Sequence, residues 1–349
     1  MRGRPVLDLA GMPDRAVAWS WVDAGRSALC VIPAALVIAF GDPSKGLAWA
    51  IGILPAALIG VAPTRRGRAN LVSIGGLFAG SILVGSLLSQ AAVVAVVGIF
   101  LVAYGSAILA SRRAFGRVAM TLCAPVAAVG LSYGDLGEAA GLGLLMLAGS
   151  IWSFAVFALW PEQPPQAVAQ APPLMPLAFA RRYGVLLGLA AASSAAVGEA
   201  VHTDHVGWAT AAAMFVMRPK AEMQELRSVG RVASVFLGAL IAVVFVRTDP
   251  NAAAVATMAV AAIAGVAGTR QSRWYVSPLF TTVMVLTLLL YSDATTATER
   301  WRFNERVGAT LLGVGFAYLY GLAIPNIAER LRGRFRGGAF GTIDSGGAD

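Results

Sequence analysis

Apolar residues are grouped into long runs along this chain, and short polar loops separate one run from the next. Runs of roughly 17 to 22 residues recur from one end to the other, and as α-helix each can cross the ~30 Å hydrocarbon layer of a membrane. The pattern predicts an all-α membrane protein with about twelve transmembrane helices. The predicted spans are 25–40, 46–62, 70–88, 91–110, 117–133, 138–160, 183–200, 205–217, 229–247, 252–268, 275–291 and 306–324.

Residues 161–182, rich in Pro, Gln and Ala, form the longest interruption of the apolar pattern. The segments on either side of it carry matching residues in the same order. The matches are Gly25 and Trp49 with Gly184 and Trp208 at an offset of 159, Arg112 and Tyr133 with Arg270 and Tyr291 at 158, and Gly149 and Pro161 with Gly313 and Pro325 at 164. An ordered set of this kind predicts an internal repeat.

The repeat predicts how the whole chain is organised. Residues 1–160 are predicted to be a first six-helix repeat that begins with an interfacial helix near 15–24, and residues 161–182 a cytoplasmic linker. Residues 183–325 are the predicted second six-helix repeat, and 326–349 a basic, then disordered, cytoplasmic tail. Because six spans return the chain to its starting side, the two repeats should be parallel and related by an axis along the membrane normal.

Composition agrees with a membrane protein, and the placement of charge predicts its orientation. The chain is 58% hydrophobic and 13% charged, whereas soluble domains are about 25% charged. Its net charge of +9 comes from 27 basic residues, of which 22 fall in alternate loops and tails on the side of the N-terminus. The other five are Lys45, Arg247, Arg300, Arg302 and Arg306. This asymmetry predicts a multi-pass protein of the plasma or inner membrane with both termini in the cytoplasm, and it argues against nucleic acid binding.

No catalytic motif is found in the sequence. It has no Gly-rich phosphate loop ending in Lys-Ser/Thr, no HExxH and no GxSxG, so neither an enzyme nor a cofactor is predicted. Cys30 and Cys123 fall within apolar spans and lack metal-ligand spacing, which is typical of small buried side chains. The only two histidines, His202 and His205, are too few for a histidine metal site, so no metal is predicted.

The densest group of titratable residues outside the basic loops is the segment 199–205, between the seventh and eighth spans. One interpretation is a solvated loop. The other is a proton relay or substrate gate at the outer mouth, because carboxylates and imidazoles near a membrane entrance can exchange protons with a moving substrate. On that interpretation the candidate proton-exchanging residues are Glu199, Asp204 and His205.

Arginines at the ends of two spans are candidate anion ligands. Arg302 and Arg306 share one helix face at the start of the twelfth span, as Arg227 and Arg231 do at the start of the ninth. They could simply reach lipid headgroups or pair with nearby glutamates. The functional interpretation is that Arg306, with Arg302 and Arg231, attracts an anion in the pathway. Trp49 and Trp208 are either interfacial belt residues or stacking partners for an aromatic substrate.

The second half, from about 183 to 325, resembles the fusaric-acid-resistance type of protein, also called the aromatic acid exporter family. The resemblance rests on Trp208-Ala-Thr ahead of Arg218-Pro, on Arg227 through Gly238, on Arg273-Trp-Tyr with Phe-Thr-Thr-Val-Met-Val-Leu, and on Arg306-Val-Gly-Ala-Thr-Leu-Leu-Gly313. It implies an inner-membrane exporter of aromatic carboxylic acids, with plant aluminium-activated malate channels as distant relatives. Many bacterial members carry a large soluble domain between the repeats, where this chain has only the linker 161–182.

The leading hypothesis is a secondary transporter that exports aromatic or other organic anions, driven by the proton gradient. One alternative is a passive organic-anion channel that uses the same arginines without proton coupling. Another is a membrane scaffold that transports nothing and anchors a partner through its basic cytoplasmic face. The predicted partners are the lipid bilayer and a small organic anion, and the sequence leaves monomer and homodimer open.

Overall fold

The computed structural model describes residues 18–113, 115–162, 174–217, 221–272, 276–291 and 296–327. Within these ranges the chain forms twelve helices and no strand. They are α1 (Trp21–Ala39), α2 (Pro43–Ile59), α3 (Arg65–Leu88), α4 (Ala92–Arg112), α5 (Gly116–Gly130), α6 (Leu136–Ala158), α7 (Leu177–Ala200), α8 (Val206–Val216), α9 (Ala221–Val246), α10 (Ala252–Gly268), α11 (Ser277–Tyr291) and α12, which comprises Thr296–Tyr318 and a π-helical turn at Leu319–Ala323.

Each predicted span overlaps one of these helices, and the chain is a multi-pass membrane protein. Seven helices are long and apolar enough to cross a membrane, and the other five are shorter apolar helices. The shortest, α8, has 11 residues and is about 16 Å long, roughly half the hydrocarbon thickness. Residues 18–20 precede α1 without helical structure, and the start of the predicted interfacial helix, residues 15–17, lies outside the described residues.

Local sequence explains where five of these helices begin and where two of them widen. Side chains of Ser20, Asp42, Thr64, Asp135 and Asn251 each accept a hydrogen bond from a backbone N–H in the first turn of the helix that follows. The π-helical turns Ala119–Cys123 in α5 and Leu319–Ala323 in α12 each lie just before a proline. Because proline has no N–H to donate, the preceding turn loses one hydrogen bond and can widen.

The two halves of the chain pack on each other through equivalent helices. Helix α1 packs on α10 and α4 packs on α7, so the first and fourth helices of each half contact the other half. Inside the halves, α2 packs on α6 as α8 packs on α12, and α3 packs on α5 as α9 packs on α11. The helices therefore form one interleaved bundle rather than two separate ones.

Glycines allow the closest of these contacts. A Cβ on Gly149 of α6 would collide with the carbonyl oxygen of Trp49 in α2, and one on Gly313 of α12 would collide with that of Ala209 in α8. Small residues at such crossings let helix backbones touch, which is how membrane helices associate without a hydrophobic driving force. The α2–α6 and α8–α12 crossings thus use glycine at positions that the repeat offset of 164 pairs.

Arg68 links the start of α3 to the end of α6 and is 1% exposed. Its guanidinium donates to the carbonyl oxygens of Phe157 at 2.8 Å, Trp160 at 2.6 Å and Pro161 at 2.9 Å, and its Nε donates to that of Ala62 at 2.8 Å. Helix carbonyls at a C-terminus lack partners inside the helix and carry partial negative charge. Arg68 therefore caps α6 and compensates its own burial.

Candidate functional site

The candidate site is built around the short helix α8 in the second half. Trp208, in its first turn, is 6% exposed, and Phe215 lies near its other end. Residues 208 and 215 are separated by two helical turns, so they lie on nearly the same face about 10 Å apart along the axis. Gly207 and Gly313 hold α8 against α5 and α12 respectively. Helix α8 thus carries two aromatic rings, one near each end, inside the helix bundle.

Arg306 of α12 lies over the first of these rings. Its Cζ atom is 4.7 Å from the centroid of the Trp208 indole. Its Nε atom is buried and has no hydrogen-bond partner among the described residues. A cation over an indole face gains up to about 2 kcal/mol when water is excluded, but this contact leaves the in-plane N–H donors unused. A guanidinium held in this way can still donate to a carboxylate.

Arg231 of α9 lies over the second ring. Its Cζ atom is 4.8 Å from the centroid of Phe215. Since Trp208 and Phe215 lie near opposite ends of α8, the two guanidiniums mark two positive positions along this helix. Arg302, the third predicted anion ligand, lies one turn before Arg306 and belongs to a separate group of polar residues.

Asp204, His205, Arg302 and Glu305 form that group, which we call the polar cluster. Glu305, whose side chain is 3% exposed, accepts from the backbone N–H of His205 at 2.8 Å and lies 3.2 Å from His205 Nδ1. Arg302 Nη1 lies 3.0 Å from the same Nδ1 atom and 3.6 Å from Asp204 Oδ2. The imidazole also stacks on Trp208 with ring centroids 4.1 Å apart. The polar cluster therefore adjoins the Arg306–Trp208 pair through His205.

His205 Nδ1 faces a hydrogen-bond acceptor and a donor at once. When Nδ1 carries a proton it can donate to Glu305, and when it does not it can accept from Arg302. Only one of these contacts is a hydrogen bond in a given protonation state. A proton gained or lost at this nitrogen therefore changes which partner His205 holds.

Asp204 fixes the loop before α8 to the start of α12. Its carboxylate accepts a hydrogen bond from Trp301 Nε1 at 3.0 Å and also forms the ion pair with Arg302. The side chain is 52% exposed, so water reaches it directly. Asp204 is thus a carboxylate of the polar cluster that can exchange a proton directly with water.

Two of the predicted residues lie apart from this arrangement. In the part of the chain that the structure describes, Glu199 at the end of α7 makes no ion pair, and its backbone carbonyl accepts from His202 N–H at 3.2 Å. Trp49 packs against a cluster formed by helices of both halves, chiefly α1, α2 and α10, and its indole Nε1 is buried with no partner among described residues. Trp49 was predicted to be a second substrate-stacking residue, but no arginine is described over its ring.

Glu305 belongs to the candidate site but is not among the predicted site residues, since the sequence indicates it only as a glutamate near Arg302 and Arg306. Its contacts to His205 join residues 100 positions apart, so no local spacing indicates them. One signal does point to it: a carboxylate directly before Arg306, at the start of a membrane span, needs a partner when it is buried.

Residues 190–320 match the family model described as fusaric acid resistance protein-like. The match contains α8, Arg231, Arg306 and the whole polar cluster, and it confirms the resemblance predicted for the second half. With the apolar helices it indicates a membrane transporter. Comparison with curated proteins and with solved structures gave no match.

Proposed function

We propose that this protein is a secondary transporter that exports aromatic or other organic anions in exchange for protons. The observation that carries the proposal is the guanidinium of Arg306, held over Trp208 with a buried Nε that has no described partner. An intramembrane arginine is costly unless it has an anionic partner. The adjacent Glu305 carboxylate acts on Arg306 electrostatically but is bound to His205, and no described residue is a hydrogen-bond partner of this Nε. A transported carboxylate would supply that partner.

The aromatic part of the substrate would pack near the Trp208 ring while its carboxylate binds Arg306. Offset or edge-on contacts between aromatic rings add about 0.5–1.5 kcal/mol beyond burial, which favours aromatic over aliphatic acids. Arg231, about 10 Å further along α8, would receive the anion at the other end of this helix. An anion would therefore meet positive charge at both ends of α8.

Proton coupling would occur at the polar cluster. Protonation of His205 at Nδ1 would let this atom donate to Glu305 and would end its acceptance from Arg302. Arg302 would then keep its ion-pair contacts with Asp204 at 3.6 Å and Glu305 at 3.7 Å, and deprotonation would restore its contact with His205. Asp204 and Glu199 would exchange protons with the water outside. Substrate release outside and proton entry would then be linked, because both change the partners of Arg302.

In this proposal the protein lies in the inner membrane of the cell with both termini in the cytoplasm. The polar cluster then lies at the outer face of the membrane. It also takes the chain to be two parallel six-helix repeats. The support for the repeats is the equivalent pairing of helices: α2 on α6 as α8 on α12, and α1 on α10 as α7 on α4. The support for the orientation is the excess of basic residues in the inner loops.

The test is flux of labelled benzoate, phenylacetate and cyclohexanecarboxylate in proteoliposomes, with and without an imposed pH gradient. The variant is Arg306→Ala, and the matched control is Leu142→Ala, the position that the offset of 164 pairs with Arg306. We expect gradient-driven accumulation with wild type and the control, and its loss with Arg306→Ala. Flux that only dissipates a gradient would identify a passive channel. No flux of any probe would contradict a transporter and favour a scaffold.

A further inference from the structure

A groove of about 440 Å³ runs between α1 and α6 in the first half, far along the chain from the proposed anion site. Its lining is apolar apart from backbone atoms: Leu29, Ile32, Trp152, Val156, Leu159, Trp160 and Pro161. Several of these side chains are open to the surroundings, including Leu29 at 46% and Leu159 at 82% exposed. In a membrane protein such a surface faces the lipid hydrocarbon.

A positive charge lies at one end of this groove. Arg26 precedes Leu29 by one helical turn, and its Cζ atom is 5.3 Å from the centroid of the Trp160 ring that closes the groove. The Nε atom of Arg26 is buried and has no hydrogen-bond partner among the described residues. One lining ring of the groove is therefore in contact with a cationic side chain that is 23% exposed.

The nearest carboxylate does not neutralise this charge. Asp23 lies 3.9 Å from Arg26, but its carboxylate is bound more closely by Arg270, at 2.9 Å. Among the described residues, two guanidiniums thus share the carboxylate of Asp23. Arg270 is itself held in place by the carbonyl oxygen of Ile59 at 2.6 Å. Arg26 is the one of the two that contacts a lining residue of the groove, through the Trp160 ring.

We propose that the groove binds an anionic phospholipid, with one acyl chain along Leu29 and Ile32 and the phosphate on Arg26. Arg26 lies about 8 Å from the start of α1, where Trp19 and Trp21 are exposed in the manner of interfacial residues. This places the Arg26 guanidinium just inside the interface, from where an arginine side chain can extend outwards to a lipid phosphate. By the predicted orientation it is the cytoplasmic leaflet, where anionic lipids and basic pockets between helices meet.

The test is native mass spectrometry of the full chain in detergent, titrated with phosphatidylglycerol and with phosphatidylcholine of the same acyl chains. We expect wild type to bind phosphatidylglycerol at least fivefold more tightly. Arg26→Gln should remove this preference, and Ile32→Trp, which fills the groove, should weaken binding of both lipids. The matched controls are Arg113→Gln, an exposed arginine at the same predicted side, and Val97→Trp, an exposed apolar position on α4.

Equal binding of the two lipids by wild type, or an unchanged preference in Arg26→Gln, would overturn the proposal. So would equally tight binding of glycerol phosphate, since that would show that the groove contributes nothing. A melting temperature measured in detergent for every variant separates loss of binding from loss of fold. Because these readouts involve no transport, the result does not depend on the proposed exporter function.

Discussion

The two halves of the molecule use the same helix crossing and differ in what surrounds its tryptophan. Helices α2 and α8 each carry a tryptophan near their start and each is crossed by a glycine of the sixth helix of its half. Around Trp208 lie His205, Glu305 and Arg306. At offsets of 159 and 164 the first half has Gly46, Gly141 and Leu142 in their place. The two crossings correspond, and the charged and imidazole side chains around Trp208 have no counterparts at these offsets in the first half.

The starts of these two helices show the same contrast. Asp42 caps α2 locally by accepting from the N–H of Lys45 at 3.1 Å. Helix α8 has no side-chain cap of its own, and Glu305 from α12 accepts the N–H of His205 instead. A local cap stabilises one helix, whereas a cap from another helix couples the two. Any change in Glu305 is therefore transmitted to the start of α8, which does not happen at α2.

The largest expected effect comes from disrupting the glycine crossings, α2 on α6 and α8 on α12, that the two halves have in common. Gly149→Leu and Gly313→Leu should each prevent correct folding, because the new side chain would overlap the backbone of α2 or α8. Yield of monodisperse protein after detergent extraction measures this. Gly105→Leu is the control, since nothing lies within 4 Å of a Cβ at that position. Normal yield from either crossing variant would contradict the shared crossing.

The next effect concerns a contact of the first half alone. Arg68→Lys should lower the free energy of unfolding by at least about 2 kcal/mol, because one ammonium cannot reach four carbonyl oxygens spread around a planar guanidinium. Unfolding in detergent mixtures of rising SDS content gives the change. Arg66→Lys, at an exposed site two residues away, should leave stability within error. Equal stability of the two variants would contradict the capping role.

The sequence could predict the helices but not the contacts between distant segments that stabilise them and form the candidate site. Apolar runs of membrane-spanning length indicated all twelve helices, and the resemblance of the second half was visible in Arg306–Gly313. Arg68, in contrast, is one basic residue among several in its loop, and nothing nearby in the sequence indicates that it caps α6. Glu305 and His205 are likewise joined only by the packing of α8 on α12. Interactions between distant segments carry the site, and periodicity does not encode them.

A medium effect separates the two tryptophans. Trp208→Leu should raise the KM for benzoate about tenfold, the equivalent of 1.4 kcal/mol, by removing both the ring and the surface that positions Arg306. Trp49→Leu should change it less than twofold, because the structure describes no arginine over that ring. Initial rates of uptake into proteoliposomes measure both. Matching increases would show that the two halves bind substrate alike.

The smallest effect is a pH dependence in the first half. Hydrogen bonds from the Lys45 side chain and backbone lower the pKa of Asp42 below its usual value of 3.8. The ionised form is therefore favoured by folding, so its stabilisation is complete above the unfolded pKa and is lost as pH falls through the lower folded value. The melting temperature of wild type should fall as the pH drops below about 4, and Asp42→Asn should make this fall slightly less steep. The change should be small because exposed ion pairs contribute little to stability. An unchanged slope would exclude this contribution.

The most direct measurement is equilibrium binding of benzoate to purified protein by isothermal titration calorimetry, comparing wild type with Arg306→Gln and Leu142→Gln. If the anion site belongs to the second half, Arg306→Gln should weaken binding at least tenfold, since a charge-assisted hydrogen bond contributes about 1.5–3 kcal/mol. Leu142→Gln should bind as wild type does. Equal affinities for wild type and Arg306→Gln, in protein with the same melting temperature, would contradict the account.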